Sequence, residues 1–181
     1  MKKVITVLGM PRSGKDTHAK LLSEKLGYKY FSVSDVISEE IKNKTKIGLI
    51  MERYSDSYTK EPDEYLIMLV KDAIINLKED GIVFNGFPRN LNQAKALDSF
   101  LFLKKISRPT PIILETENIV ILERMPEISS NDSFFKTSVN LYEKTVKPIE
   151  KYYGGIGLKF NTTEKTPEKI NEEILDSIKK I

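Results

Sequence analysis

Two glycines, a lysine and a carboxylate stand close together in Gly9-Met10-Pro11-Arg12-Ser13-Gly14-Lys15-Asp16-Thr17, directly after the apolar run 4–8 and ahead of an amphipathic stretch over 17–26. The spacing G-x-x-x-x-G-K builds a tight loop whose backbone N–H groups turn inward. It leads from a strand into a helix whose positive N-terminal end faces the same anion. A glycine-containing strand-to-helix turn without a ligand would match the same pattern, but the position between a strand-like and a helix-like run favours phosphate. Gly9, Pro11, Arg12, Ser13, Gly14, Lys15, Asp16 and Thr17 are thus expected around the phosphates of a nucleotide, with Lys15 reaching the outer ones. The residue after that lysine is normally Ser or Thr, whose hydroxyl meets Mg²⁺. Here it is Asp16, with Thr17 one place later.

A second cluster, Asn85-Gly86-Phe87-Pro88-Arg89-Asn90-Leu91-Asn92-Gln93-Ala94, follows the apolar run 82–84. Together with the first loop it resembles the adenylate kinase family of nucleoside monophosphate kinases, whose motif reads D-G-F-P-R, then three residues, then Gln-Ala. The resemblance implies that Arg89 grips the phosphate of an acceptor nucleotide and that Gln93 reads an adenine edge, tasks suited to a guanidinium and an amide. The plain alternative is a helix-start arginine with a solvated glutamine. Weaker likenesses extend over nearly the whole chain. Phe31-Ser32-Val33-Ser34-Asp35 is similar to the family's I-S-T-G-D segment, which brings Ser34 and Asp35 to the acceptor site beside Gly86 and Arg89. Pro62-Asp63-Glu64-Tyr65 resembles the start of the helix that closes the acceptor subdomain. Leu122-Glu123-Arg124 resembles the last turn before the lid and places Arg124 at ATP, and 142–153, with Pro148 inside, matches the long helix beyond it.

What the resemblance implies is transfer of the γ-phosphoryl group of ATP, with Mg²⁺ as cofactor, to a nucleoside monophosphate, AMP first among the acceptors. Lys15, Arg89, Arg124 and Arg12 are then the catalytic candidates. Val33 stands where the family carries a hydroxyl beside the base, so a deoxynucleotide or a pyrimidine acceptor stays open. Two further readings stay open as well: a catalytically weak protein that binds adenine nucleotides as a sensor or partner-binding module, and another small-molecule kinase built on the same loop.

The departures from the family's pattern concern charge. Phosphoryl transfer rests on positioning and charge neutralisation, yet the arginines are only Arg12, Arg53, Arg89, Arg108 and Arg124. Ser38 and Glu39 fall where the family has an arginine on the acceptor phosphate, and Glu127 and Ser138 fall near its two arginines of the lid and the following helix. The aspartate of D-G-F-P-R has become Asn85. Two substitutions could offset these losses. Arg12 stands where the family usually has glycine, and Asp16 stands where a side chain faces Mg²⁺, so its carboxylate could replace the one absent at Asn85. A favourable charge in the first turn of a helix is the plain account of Asp16. His18, the only histidine, is expected to pack on a helix face.

Elements that position these groups alternate along the chain. Strands are expected at 4–8, 28–33, 82–84, 111–114 and 158–161, and helices at 15–26, 35–44, 63–78, 91–100, 119–124, 134–153 and 167–180. Thr166, the pair Glu61-Pro62, and Asn118 suit helix starts. Alternation of this kind builds an α/β fold, a P-loop NTPase-like three-layer arrangement around a five-stranded parallel sheet. With 181 residues one domain over 1–181 is expected, carrying an acceptor-binding insert at about 35–65 and a short lid at about 125–133. The stretches 45–60 and 125–133 fit the alternation poorly. Forty per cent hydrophobic and 30% charged residues describe an ordinary globular chain with no spanning run, and a net charge of +3 without a basic cluster argues against nucleic acid. The absence of cysteine removes disulfides and thiolate metal sites. A cytoplasmic monomer meeting ATP and a nucleoside monophosphate, without nucleic-acid or membrane partners, is the expectation.

Overall fold

The structure, a computed structural model, describes residues 2–55, 62–125, 129–130 and 132–180. Strands β1 (Lys3–Gly9), β2 (Lys29–Ser32), β3 (Gly81–Asn85), β4 (Thr110–Glu115) and β5 (Leu158–Asn161) form one sheet, all parallel, in the order β2-β3-β1-β4-β5. Central β1 pairs with β3 through Ile5 opposite Val83 and with β4 through Val7 opposite Ile112. The central strands read as apolar runs because both faces are covered. Alternate residues go to opposite layers: Val4, Ile82 and Phe84 join one core, while Ile5, Val7, Val83, Ile112 and Leu114 join the other.

The first layer carries α2 (Val33–Lys42), α3 (Lys46–Ser55), α4 (Asp63–Ile75), α5 (Leu91–Leu103) and α7 (Ser133–Tyr152). The second carries α1 (Lys15–Leu26) and α8 (Pro167–Ile178), whose Ala19, Leu22, Ile170 and Ile174 are almost wholly buried. A short α6 (Asn118–Glu123) follows β4 and packs Ile121 against Met10, Met125 and Phe135. No helix among the described residues is long and apolar enough to cross a membrane.

Four expectations need correction. The second strand stops at Ser32, whose hydroxyl accepts from the Asp35 N–H at 3.3 Å and starts α2 at Val33. Val33 is therefore 2% exposed in the core with Ile37 and Met51, and the cleft described below meets Ser32 and Ser34 instead. The irregular insert at 45–60 contains α3. Helix α6 is preceded by Glu117 rather than capped by Asn118, the Glu117 N–H donating to Thr163 Oγ1 at 3.2 Å. Of the expected insert and lid, residues 56–61, 126–128 and 131, Glu127 among them, lie outside the described residues.

Candidate active site

The carboxyl ends of all five strands open on one edge of the sheet, and the order changes direction around β1, the place where ligands settle in open α/β sheets. At the end of β1 the loop 9–15 is held by a hydrogen bond from the Ser13 N–H to the Met10 carbonyl at 3.1 Å. Gly9 is required by close approach, since a Cβ there would run into Ser13 Oγ. Gly14, at φ 91°, turns the chain left-handed into α1, a conformation that suits glycine. Arg12 adopts the same region at φ 65° without being glycine. Its carbonyl accepts from Arg124 Nη1 at 2.9 Å, while Arg124 Nη2 donates to the Thr162 carbonyl at 3.2 Å. One guanidinium thus ties the loop to the ends of α6 and β5.

Lys15 opens α1 beside a cleft of about 660 Å³ that Gly9, Pro11, Asp16, Ser34, Asp35, Gly86, Arg89 and Gln93 also line. Burial holds the Lys15 ammonium below its ordinary pKa; Asp16 opposes that shift, and Arg89 and Arg12 add to it. On the other side of the loop a smaller cavity of about 340 Å³ is lined by Arg12, Ser13, Gly14, Thr17, Arg124 and, again, Asp16. The expected site residues are therefore divided between two hollows with the loop as the partition. His18 lies buried behind the loop, where a Cβ on Gly14 would stand 3.3 Å from the ring. Its pKa is lowered by burial first and by Arg124 next, against the opposing Glu168.

Asp16 and Asn85, two residues at which the loops depart from the family's pattern, touch. Asn85 Nδ2 donates to Asp16 Oδ1 and, at 3.0 Å, to the Tyr30 hydroxyl, while its Oδ1 is buried with no partner among the described residues. Lys20 stands 5.7 Å from the centre of the Tyr30 ring, and both residues line the cleft.

On the acceptor side the loop after β3 carries Gly86 at φ 73°, a cis Phe87–Pro88 peptide and the wholly buried Phe87, which packs on Phe84. Arg89 Nε donates to the Gly86 carbonyl at 3.3 Å and Nη2 to Ser34 Oγ at 3.2 Å. Gln93 is not the solvated helix residue of the plain alternative: it is 1% exposed. Its Oε1 accepts from the Arg89 N–H at 2.7 Å and its Nε2 donates to Asp63 Oδ1 at 2.7 Å.

Opposite the loop, α7 contributes Ser138, Leu141, Tyr142, Thr145 and Val146 to the cleft wall, none of them cationic. Tyr142 donates to Glu150 Oε1 at 2.5 Å, and burial followed by that carboxylate pushes its pKa far up. Arg53 ends α3 exposed and does not line the cleft. Lys20, Tyr30, Leu141, Tyr142, Thr145 and Val146 line the cleft without having been singled out for it, and Asp63 had been placed only at the start of the helix that closes the acceptor subdomain. Their convergence is a product of the fold.

The family model described as "Adenylate kinase" matches residues 7–157. The chain is similar to an adenylate kinase of Clostridium tetani, 38% identical over 122 residues, which is 67% of this chain and 56% of that protein. It is likewise similar to adenylate kinases of Clostridium botulinum (strain Langeland), 40% identical over 124 residues, and of Hydrogenobaculum, 31% identical over 122, each covering 67% of this chain and 56% and 58% of the relative. The matched stretch thus spans little more than half the length of these curated relatives. By that match, which takes in both the phosphate loop and the segment of Arg89 and Gln93, the chain belongs to the adenylate kinase family.

Proposed function

We propose that the protein transfers the γ-phosphoryl group of ATP to a nucleoside monophosphate, AMP by preference. The observation that carries this reading is the loop 9–15 standing between two hollows, with Lys15 on the larger and Arg124 on the smaller. ATP would lie across the loop, its base in the smaller hollow against Arg124 and its phosphates over the loop N–H groups and Lys15. The acceptor would occupy the larger hollow with its phosphate on Arg89. A phosphate oxygen of the acceptor then attacks the γ-phosphorus, the bond from that phosphorus to the β,γ-bridging oxygen breaks, and two diphosphates result. Lys15 and Arg89 supply fixed positive charge to the transferring group in a site partly shielded from water.

The residues present fit a hard divalent cation. Asp16 is an exposed carboxylate shared by both hollows, and the buried, unpartnered Asn85 Oδ1 beside it suits a hydrogen bond from a metal-bound water. Asp16 would hold Mg²⁺ together with the nucleotide's phosphates, since this ion needs only one or two carboxylates in such sites. When bound, it supplies charge neutralisation to the phosphate chain. Among the described residues no group of three or more His, Asp or Glu gathers for a metal.

A second reading is favoured by one observation. The α7 wall facing the loop is neutral, with Ser138 where the family's pattern calls for an arginine. A site lacking that charge would bind adenine nucleotides and transfer phosphate slowly, as a sensor does. A coupled assay of ADP formation over a panel of monophosphates, with ATP and Mg²⁺, decides. Turnover with AMP above the other acceptors supports the kinase reading, and nucleotide binding without turnover supports the sensor. We read the active form as a monomer, because one chain lines both hollows; gel filtration with light scattering tests that.

A further inference from the structure

We infer that Asp63 is a specificity-determining residue: from the first turn of α4 it fixes the amide of Gln93 in one orientation, so that the cleft favours a 6-amino over a 6-oxo purine. The inference rests on the proposed reading of the larger hollow as an acceptor-nucleotide site. Asp63 Oδ1 accepts from Gln93 Nε2 at 2.7 Å and from Asn90 Nδ2 at 2.8 Å, and the Arg89 N–H donates to Gln93 Oε1 at 2.7 Å. These contacts settle which end of the amide is nitrogen. An ionised carboxylate only accepts and a backbone N–H only donates, so nitrogen must face Asp63 and oxygen must face Arg89. Asn90 is itself fixed, since its Oδ1 caps α5 by accepting from the Gln93 N–H at 3.0 Å.

An amide bound in this way keeps one N–H and one oxygen lone pair for a ligand. Gln93, Asp63, Asn90 and Arg89 all border the same cleft. An adenine edge offers an acceptor at N1 beside a donor at N6 and matches that pair. A hypoxanthine edge in the same pose offers a donor at N1 beside an acceptor at O6, which sets donor against donor and acceptor against acceptor. A freely rotating glutamine would turn over to suit either base. Here rotation would point the carbonyl oxygen at the Asp63 carboxylate and the NH₂ group at the Arg89 N–H, setting acceptor on acceptor and donor on donor in two part-buried contacts. Selectivity is therefore placed on α4, an element other than the one that carries the reading amide.

The test measures kcat/KM for AMP and for IMP, with ATP saturating, in the unaltered protein and in Asp63→Ala, Asp63→Leu and Gln93→Leu, with circular dichroism and ATP affinity as controls for folding. The unaltered protein should prefer AMP by at least about tenfold, the scale of one good bidentate base contact. Asp63→Ala and Asp63→Leu, which both remove the acceptor, should each shrink the AMP-to-IMP ratio severalfold, raise KM for AMP and leave KM for ATP within about twofold. If Asp63→Ala does not fold, Asp63→Leu, close to aspartate in shape but without an acceptor, carries the test. Equal losses for AMP and IMP in both Asp63 variants, with the ratio collapsing only in Gln93→Leu, overturn the orienting role of Asp63 and leave base reading by Gln93 intact. No preference in the unaltered protein, or a silent Gln93→Leu, overturns the acceptor-site reading and the inference with it.

Discussion

At the scale of single residues, the site trades charge between positions. Arg12 sits at φ 65°, a left-handed conformation that costs a residue with a Cβ about 1 kcal/mol relative to glycine. The guanidinium lines the smaller hollow, where the proposed reading places ATP, and its charge also adds to the lowering of the Lys15 pKa. Arg12→Gly should therefore raise stability by about 0.5–1 kcal/mol in a urea melt while lowering kcat/KM, because relief of strain and loss of charge go together. Stability gained with no loss of rate would remove Arg12 from the chemistry. The contact between Asn85 and Asp16 leads to a second expectation. If Asp16 carries the metal-facing charge, Asp16→Gly should raise the Mg²⁺ concentration needed for half-maximal activity by about tenfold, and adding Asn85→Asp should recover part of it. Binding of Mn²⁺ in the presence of ATP, followed by electron paramagnetic resonance, gives the same comparison without turnover. Higher activity in Asp16→Gly alone would mean that the carboxylate merely repelled phosphate.

At the scale of elements, α7 is where the family's pattern and this chain differ most in consequence. Ser138 projects from α7 into the cleft wall among neutral neighbours. Ser138→Arg would return a cation to a wall that faces the loop, and it should raise kcat by about tenfold, since one preorganised donor at such a site is worth that much or more. An unchanged kcat would place position 138 too far from the transferring group and call for a different source of charge. Elements were legible in the sequence to differing degrees. The three central strands were clear because burial on both faces leaves apolar runs, and α1 matched residue for residue because Gly14 and Gly27 punctuate it. Helix α3 escaped because Gly48 stands inside it and reads as a breaker. In the fold that glycine is a close approach, since a Cβ would collide with the Glu40 carbonyl at the end of α2. The start of α2 was misjudged for a related reason: Val33 favours strands by type, but the Ser32 cap decides. Of the candidate site, the two loops were legible because their spacing encodes backbone geometry. The Asp63–Gln93 contact was not, since the residues are 30 positions apart and only packing of α4 beside α5 brings them together.

For the whole molecule, the division of the site into two hollows makes ligand binding a measurable part of stability. A ligand present at 100 times its Kd and bound only by the folded chain adds about 2.7 kcal/mol. For a chain of this size that corresponds to about 5–11 °C in Tm. ATP with Mg²⁺ and AMP should each give a shift of that order at matched saturation, and AMP together with the β,γ-imido analogue of ATP, a pair that does not react, should give nearly the sum of the separate shifts, because the two proposed base sites are separate hollows. Lys15→Met should separate them. In the proposed arrangement the ammonium would face the phosphates of the donor and the acceptor phosphate would rest on Arg89, so the variant should lose most of the ATP shift and keep most of the AMP shift, with its own Tm little changed. Its turnover should fall by two to three orders of magnitude, roughly the loss seen when one preorganised charge leaves a transfer site. Equal loss of both shifts would show that the loop organises a single shared site, and an unaltered ATP shift with unaltered turnover would remove the loop from nucleotide binding altogether.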